Sequence, residues 1–378
     1  MTRIRLLILA ATAFLPGCAS LPRPSPPSAA VRVTFDRDRI LSVEARGAGA
    51  DDPVRIASIS KLIVGLGVMR LVEAGTLDLD RDVSGWLGYT LRNPAFPDRP
   101  ITLRLLLSHR SSLTDQVDYA IPLGRTVRDT LADPKAWDAE HAPGTFFRYG
   151  NINFPVIASV MERATGERFD RSMARLVFTP LGIDACFNWT TCSDASVARA
   201  VTLRDGKGTV LRDALRGRRP ACPVLALGPE CELSQYRPGD NGALFSPQGG
   251  ARISARGLAR IGQLLLRGGD GLIAPAAIAA MLGPEWVFDG GNGDTEGGFW
   301  CAYGLAIQTL AASPACRNDP VGDGIKRVGH SGEAYGLRSG LWIDRRRGRG
   351  VAFFVTAVPD DAPRSRSGFT RVEEALVR

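Results

Sequence analysis

The chain has 378 residues, of which 44% are hydrophobic, and it carries a net charge of +8. This length and composition fit a globular protein with a large buried core. Two basic runs, at 216–219 and 345–349, are either solvated loops or contacts for anionic lipid or cell-wall polymer. Neither run is interleaved with aromatic residues, so we expect no nucleic-acid partner.

The N-terminal residues predict a secretory signal peptide at 1–17. Two arginines precede an apolar run at 6–15 that is too short to span a bilayer as a helix. The run is followed by Pro-Gly and Cys18, which is similar to a lipobox, the sequence that precedes a lipidated cysteine. Pro16 replaces the small residue that is usual there. The alternative is a plain signal peptide with an incidental cysteine.

A lipidated Cys18 would anchor the protein to a membrane. We expect a lipidated cysteine and Pro-rich tether over 18–30, and then one folded domain over 31–378. Ala19 and Ser20 do not resemble an inner-membrane retention signal. We therefore predict a lipid-anchored protein on the periplasmic side of the cell envelope, at the outer membrane.

The other six cysteines lie in close pairs along the chain. An even number fits a protein that folds in an oxidising compartment, and nearest-neighbour pairing is one of several possible disulfide patterns. A zinc site is disfavoured because no CxxC spacing and no nearby histidine accompany the cysteines. The pairs are Cys186 with Cys192, Cys222 with Cys231, and Cys301 with Cys316.

The first predicted elements are a strand or short hairpin at 31–45 and a helix at 56–74. Apolar residues cover most of the circumference of this helix, which is typical of a buried helix. The region at about 85–249 mixes short helices with Pro- and Gly-rich loops. A further helix is predicted at 254–267, with Ser254 as its N-cap.

Beyond this point the pattern changes to short apolar runs that are typical of strands. Strands are predicted at 303–310, 325–329, 337–343 and 351–358, and a closing helix at 369–377. Together these elements predict an α+β fold. Its antiparallel sheet is built from both chain ends and flanked by helices, and the middle region forms a large, mostly helical insertion.

Ser58 and Lys61 open the predicted buried helix as Ser-Ile-Ser-Lys. Residues three apart share a helix face, so the two side chains can touch. A lysine in an apolar environment has a depressed pKa and can accept the serine proton, which an arginine cannot do. The chain has only four lysines, so the position of this one is informative. The alternative is a surface lysine beside an N-cap serine.

Two further patterns carry candidate chemistry. Tyr149 and Asn151 offer a phenol that can act as a base near an ammonium group and an amide that can orient a lysine and a substrate. The triplet His330, Ser331 and Gly332 ends a predicted strand, where a main-chain N–H can contribute to an oxyanion hole and the glycine allows close approach of a substrate. A packed aromatic turn and a strand-to-turn junction are the structural alternatives.

The three patterns, in this order, resemble those of one family, the class C β-lactamases, DD-peptidases and penicillin-binding-protein-like esterases and amidases. The segment at 105–113 is similar to the leucine-rich HTSGL segment of that family, with Ser112 where glycine is usual. The resemblance extends over most of the predicted domain. It implies the β-lactamase/transpeptidase-like fold and a serine hydrolase that forms an acyl-enzyme with an ester or amide substrate.

The resemblance also implies a role for each matching residue. Ser58 is the nucleophile, Lys61 and Tyr149 share the acid and base work, and Asn151 positions the substrate and Lys61. The main-chain N–H groups of Ser58 and Glu333 form the oxyanion hole. No metal or organic cofactor is implied, the partner is a small-molecule or peptide substrate, and we expect a monomer.

His330 departs from the pattern of penicillin-recognising members, which carry a lysine there. Histidine is largely neutral at pH 7, so efficient β-lactam hydrolysis is disfavoured unless Arg327 or Arg338 supplies the positive charge. A true β-lactamase and a D-Ala-peptide carboxypeptidase remain alternatives. So does a non-catalytic lipoprotein that binds cell-wall peptides. A Ser-His-Asp triad through His109 or His141 is disfavoured because no GxSxG is present.

Overall fold

The computed structural model describes residues 29–228 and 231–378. The predicted signal peptide, Cys18 and nearly all of the tether lie outside these ranges and stay predictions. Within them, no helix is both long enough and apolar enough to cross a membrane.

The strands, numbered in chain order, alternate with helices in the middle of the chain and dominate both ends. They are β1 (Ala30–Asp36), β2 (Ile40–Arg46), β3 (Val54–Arg55), β4 (Cys186–Phe187), β5 (Leu203–Arg204), β6 (Val210–Arg212), β7 (Ala251–Ile253), β8 (Trp286–Val287), β9 (Ala302–Tyr303), β10 (Gln308–Leu310), β11 (Arg327–Ala334), β12 (Leu337–Asp344) and β13 (Arg349–Val355).

The helices are mostly short, and many of them lie in the region that was predicted as a helical insertion. They are α1 (Ile59–Glu73), α2 (Ser84–Leu87), α3 (Leu103–Leu107), α4 (Val127–Leu131), α5 (Asn153–Thr165), α6 (Phe169–Met173), α7 (Asp194–Ala198), α8 (Ala255–Leu266), α9 (Pro275–Leu282) and α10 (Arg371–Val377). Single turns of other helix types occupy Pro134–Ala136, Ala174–Phe178 and Leu233–Gln235.

The main sheet joins the two ends of the chain. Its strand order is β2-β1-β13-β12-β11-β10-β9-β8, and every pairing is antiparallel. The first strand pairs with the last along its whole length, from Ala30 opposite Val355 to Asp36 opposite Arg349. The predicted α+β architecture is therefore confirmed. A second, small sheet has the order β3-β7-β4.

Helix α1 is buried on nearly every side, as its apolar circumference predicted. Twelve of its residues are buried, and it packs against β11 of the sheet, α6 of the helical region and α9. Gly67 permits one of these contacts, since a Cβ there would lie 2.7 Å from the Met173 sulfur. The predicted helix start at 56 was three residues early, because residues 56–58 form a turn instead.

That turn is held from two sides. The Ile56 N–H donates to the Ala251 carbonyl at 3.1 Å, and the Ala251 N–H donates to the Ser60 hydroxyl at 3.0 Å, which ties the turn to β7. On the other side the Ser339 hydroxyl of β12 donates to the Ile56 carbonyl at 2.9 Å. The entry to α1 is thus fixed between the main sheet and the small sheet.

The three nearest-neighbour cysteine pairs are disulfide-bonded: Cys186 with Cys192, Cys222 with Cys231, and Cys301 with Cys316. The bridges span 6, 9 and 15 residues, so each closes a local loop. The third bridge joins the residue directly after Trp300 to the residue directly before Arg317. It therefore constrains the segment that contains β9 and β10.

Helix α8 lies on the sheet as predicted, with the Ser254 hydroxyl accepting a hydrogen bond from the Gly257 N–H at 3.0 Å. Gly262 sets the distance between helix and sheet. A Cβ at that position would lie 2.2 Å from the Phe35 ring and 3.1 Å from the Leu341 side chain. Both neighbours are fully buried, so neither can move away cheaply.

We predict that Gly262→Ala lowers the free energy of unfolding by about 1–3 kcal/mol through overpacking. This sign is opposite to the intrinsic helix preference, which favours alanine by about 1 kcal/mol. Urea unfolding followed by circular dichroism measures the change. Gly291→Ala is the matched control, because a Cβ at Gly291 would have no atom within 4 Å. A neutral or stabilising Gly262→Ala would contradict the packing described here.

Candidate active site

A cavity of about 700 Å³ opens where the start of α1, strand β11 and the loop before α5 meet. Six of the predicted site residues line it together: Ser58, Tyr149, Asn151, Ser331, Gly332 and Glu333. The remaining wall is a mixture of aromatic and charged side chains. It includes Arg55, Tyr119, Glu296, Phe299, Trp300, Arg317, Tyr335, Arg364 and Glu373.

Ser58 occupies the N-cap position of α1, but its side chain makes no capping hydrogen bond. Its hydroxyl is therefore available to the cavity, which disfavours the alternative that it is an ordinary N-cap serine. The residue before it, Ala57, has a left-handed φ of 49°, which turns the chain sharply at the cavity. Within the described residues the Ser58 N–H has no hydrogen-bond partner, as an oxyanion-hole donor requires.

The Lys61 amine is fully buried beside Ser58 and has three polar neighbours. Its Nζ lies 2.9 Å from the Ser58 Oγ, 2.8 Å from the Asn151 Oδ1 and 3.0 Å from the Gln248 carbonyl oxygen. Burial lowers the pKa of Lys61 to about 7, although the charge of Asp115 opposes this shift.

These contacts suit the ammonium, which donates all three of its N–H groups, one of them to Ser58, and they also suit the neutral amine. A neutral amine has two N–H donors and one lone pair. The donors satisfy the Asn151 and Gln248 oxygens, which accept only, and the lone pair remains for the hydroxyl of Ser58. The lysine is thus placed to accept the proton of the serine.

Asp115 holds Asn151 in the orientation that this arrangement requires. The Asp115 carboxylate accepts from the Asn151 N–H at 2.8 Å, the Asn151 side-chain amide at 2.9 Å and the Ile152 N–H at 2.9 Å. The amide nitrogen therefore faces Asp115 and the amide oxygen faces Lys61. Sequence reasoning missed Asp115. The only available signal is its place two residues after the HTSGL-like segment.

Tyr149 is stacked between two aromatic rings. Its ring lies 4.3 Å from that of Trp300 at an interplanar angle of 11°, and 4.4 Å from that of His109. Burial raises the pKa of Tyr149 above its usual value, and a hydrogen bond with Ser58 lowers it by less. In the unliganded site the phenol is therefore protonated, and Lys61 is the better base.

The other histidines have structural positions. His109 is buried, its Nδ1 accepts from the Gly150 N–H at 3.1 Å, and burial lowers its pKa well below 6.5. His141 lies away from the cavity, stacked on Phe146 and hydrogen-bonded to Asp138 at 2.9 Å. Neither ring contacts Ser58, so the structure does not assemble a Ser-His-Asp triad.

His330 does not reach the cavity, which corrects its prediction as a substrate contact. It is fully buried, and its Nε2 lies 2.8 Å from the Tyr303 hydroxyl. Burial lowers the pKa of His330 to about 3, so the ring is neutral. Its neighbour Ser331 does line the cavity, with its hydroxyl donating to the Gln308 side chain at 3.2 Å.

Gly332 has a packing role in addition to the one predicted. A Cβ there would lie 2.3 Å from the Ile56 carbonyl oxygen and 2.3 Å from the Ser339 hydroxyl. The glycine therefore lets β11 approach the turn before Ser58, in addition to lining the cavity. The triplet lies in the middle of β11, between Arg327 and Ala334, and does not end the strand as predicted.

The two arginines that could have supplied the positive charge of a lysine at position 330 form ion pairs with other residues. Arg338 is fully buried and pairs with Glu333 at 2.8 Å, and Arg327 pairs with Asp323 at 2.8 Å. Neither lines the cavity. Glu333 also pairs with Arg364 at 2.6 Å, so its carboxylate is neutralised from two sides while its main chain lies on the cavity wall.

The Beta-lactamase family model matches residues 24–374. The chain therefore belongs to the beta-lactamase family, as the three sequence patterns predicted.

Curated relatives include esterases. The chain is 31% identical over 281 residues to a lovastatin esterase of Penicillium rubens, which covers 65% of this chain and 64% of the relative. It is 32% identical over 155 residues to Esterase EstB of Burkholderia gladioli, covering 36% of this chain and 38% of the relative. The chain thus matches less than two thirds of the length of these relatives.

Among solved structures, the D-amino acid amidase of Ochrobactrum anthropi SV3 superimposes with a TM-score of 0.65 at 17% identity. The match covers 93% of this chain and 94% of the amidase. This likeness confirms the predicted fold.

We predict that the pH dependence of stability reports the buried amine of Lys61. The pKa falls from about 10.4 in the unfolded chain to about 7 in the folded protein. Between these values the unfolded state binds more protons, so the lysine lowers stability at neutral pH and does so less as pH rises. Relative to Lys61→Met, the wild type should therefore gain about 2 kcal/mol between pH 7 and pH 9.

Urea unfolding of both proteins at the two pH values measures this gain. Lys135→Met is the control for loss of a positive charge, because Lys135 is exposed. A difference between wild type and Lys61→Met that does not change with pH would show that the amine is not shifted.

Proposed function

We propose that the protein is a hydrolase that forms an acyl-enzyme on Ser58 with an ester or amide substrate. The observation that carries this proposal is the set of contacts around Lys61. When the amine is neutral, its two N–H groups donate to Asn151 and Gln248, and its lone pair is available to the Ser58 hydroxyl. A serine is a weak nucleophile unless a base takes its proton. Here the base is 2.9 Å away.

In the first step the Ser58 oxygen attacks the substrate carbonyl, and its proton passes to the Lys61 amine. The negative charge that develops on the carbonyl oxygen is stabilised by the main-chain N–H groups of Ser58 and Glu333. Collapse of this intermediate breaks the ester or amide bond. The leaving group takes a proton from Lys61 through the Tyr149 hydroxyl, which is hydrogen-bonded to Ser58.

In the second step a water molecule attacks the acyl carbonyl. Lys61 accepts one proton of that water through the Tyr149 hydroxyl and returns it to the Ser58 oxygen as the acyl bond breaks, which releases the carboxylic acid and restores the Ser58 hydroxyl. Proton transfer through Tyr149 in both steps places the leaving group and the attacking water on the Tyr149 and Trp300 side of Ser58. The acyl part of the substrate then lies on the opposite side.

The curated relatives named as esterases support an ester as the substrate class. The neutral, buried His330 supports the expectation that β-lactam hydrolysis is weak. A β-lactamase, a D-Ala-peptide carboxypeptidase and a non-catalytic cell-wall-binding lipoprotein remain the alternatives. A binding protein would not need a nucleophile, a base and an orienting amide in contact.

We predict that residues 31–378 hydrolyse a short-chain p-nitrophenyl ester and that Ser58→Ala reduces kcat/KM by roughly 10³-fold or more, because covalent catalysis is lost. Turnover of a chromogenic cephalosporin should be slow in comparison. Release of p-nitrophenol and of the cephalosporin chromophore measures both. Fast cephalosporin turnover would identify a β-lactamase instead, and equal rates for wild type and Ser58→Ala on every substrate would favour the binding protein.

We predict that kcat/KM for the ester falls about tenfold per pH unit below pH 7. Lys61 has a pKa of about 7, and only its neutral form accepts the serine proton. Activity is therefore lost as pH falls and reaches a plateau above pH 8. Lys61→Arg should be inactive throughout this range, because arginine does not deprotonate. A flat profile between pH 5 and 8 would assign the base to another group.

A further inference from the structure

Arg55 is a positively charged side chain in the cavity wall for which the structure shows no acidic partner. It lies three residues before Ser58, on β3, and lines the same cavity. Its guanidinium makes one hydrogen bond, from Nη1 to the Gly249 carbonyl at 2.9 Å. Its Nε is buried without a partner, and no carboxylate of residues 29–228 or 231–378 lies within ion-pair distance.

The surroundings of Arg55 favour an added anion. Arg252 lies nearby, and the Asp213 carboxylate that serves this region is 3.0 Å from Arg252 and also accepts from the Trp189 indole at 2.9 Å. Asp213 is thus paired with Arg252 and not with Arg55. Burial and the charge of Arg252 lower the pKa of Arg55 to about 9, although the charge of Asp213 opposes this shift.

The position of Arg55 in the cavity indicates which part of a substrate would reach it. Tyr335 covers its guanidinium at 5.3 Å from the ring centre, and Gly249 follows the residue whose carbonyl contacts Lys61. Tyr149 and Trp300, which define the leaving-group side, do not contact it. Arg55 therefore faces the acyl part of the substrate.

The other charges of the cavity do not offer an equivalent site. Arg364 is paired with Glu333. Arg317 is exposed to water, and the cavity wall also carries the carboxylates of Glu296 and Glu373. A hydrated cation among carboxylates attracts an anion less strongly than a desolvated cation without a partner.

We propose that Arg55 is a specificity residue that binds a carboxylate on the acyl part of the substrate, so that the preferred substrates are esters or amides of dicarboxylic or similar acidic acyl groups. This inference rests on the proposed function. The planar guanidinium suits a carboxylate, since its free N–H groups can donate to both oxygens. A bound carboxylate would then lie on the acyl side of Ser58, whereas His330 is buried and does not line the cavity.

The test compares two p-nitrophenyl esters of the same length, the glutarate monoester with a free carboxylate and the valerate without one. Wild type should have the higher kcat/KM for the glutarate ester. Arg55→Gln should reduce the glutarate-to-valerate ratio by roughly 10-fold or more, as expected for loss of a charge-assisted hydrogen bond. Arg55→Lys, which keeps the charge without the planar fork, should give an intermediate ratio. The Ser58→Ala rate is subtracted, because the glutarate carboxylate also attacks its own ester.

Arg212→Gln is the matched control. Its guanidinium packs on the same Tyr335 ring at 4.9 Å but does not line the cavity, so the ratio should stay at the wild-type value. An unchanged ratio in Arg55→Gln would overturn the proposal and leave Arg55 as a support for the Gly249 segment. A ratio that falls in Arg317→Gln and not in Arg55→Gln would overturn it by moving the anion to the other end of the cavity.

A binding experiment separates this inference from the proposed function. Calorimetry measures the affinity of monoethyl glutarate for Ser58→Ala, which requires no turnover, and for Ser58→Ala combined with Arg55→Gln. We expect roughly 10-fold weaker binding in the double variant. Binding without turnover in wild type would support the anion site and reject the hydrolase. Turnover of the valerate ester with no Arg55-dependent binding would reject the anion site alone.

Discussion

The site depends on burying an amine that, in water, would be charged. Burying the charged amine of Lys61 costs free energy, and the pKa of Lys61 is lowered for that reason. The apolar circumference of α1 excludes water from the amine, and the large packed core around the helix supports this arrangement. The Asn151 and Gln248 oxygens each accept a hydrogen bond from the amine, so that in its neutral form the remaining lone pair is available to Ser58.

Contacts that do not touch the amine itself hold its hydrogen-bond partners and Ser58 in place. Asp115 prevents the Asn151 amide from reversing, because a reversed amide would present N–H groups to Lys61 and lose its own hydrogen bonds to the carboxylate. Gly332 and Ser339 bring the sheet against the turn that precedes Ser58. Ser58 is thus positioned by three separate parts of the chain, which come together only in the folded protein.

The sequence was sufficient to predict the sheet built from both chain ends and the face shared by Ser58 and Lys61, because these follow from local periodicity and spacing. It was not sufficient for β11. The strand was predicted too early, at 325–329, since Ser331, Gly332 and Glu333 carry no strand signal of their own and are extended by pairing with β12.

Side-chain positions were predicted less well than elements. His330 was expected at the surface of the cavity, but its hydrogen bond to Tyr303, distant in sequence, turns it inward. Asp115 and Arg55 lie in segments without a distinctive pattern. What singles them out is their surroundings: the Asn151 amide beside Asp115, and the lack of a carboxylate within ion-pair distance of Arg55 among residues 29–228 and 231–378. Such relations are set by tertiary packing and are not visible in residue spacing.

The third disulfide bridge acts on the cavity as well as on stability. A bridge that closes a loop of 15 residues restricts the unfolded chain somewhat less than one that joins distant segments. Cys301 and Cys316 also fix the two residues beside them, Trp300 and Arg317, on the cavity wall. Oxidation of these two thiols therefore completes the shape of the cavity, because it sets where an aromatic ring and a cation stand relative to Ser58.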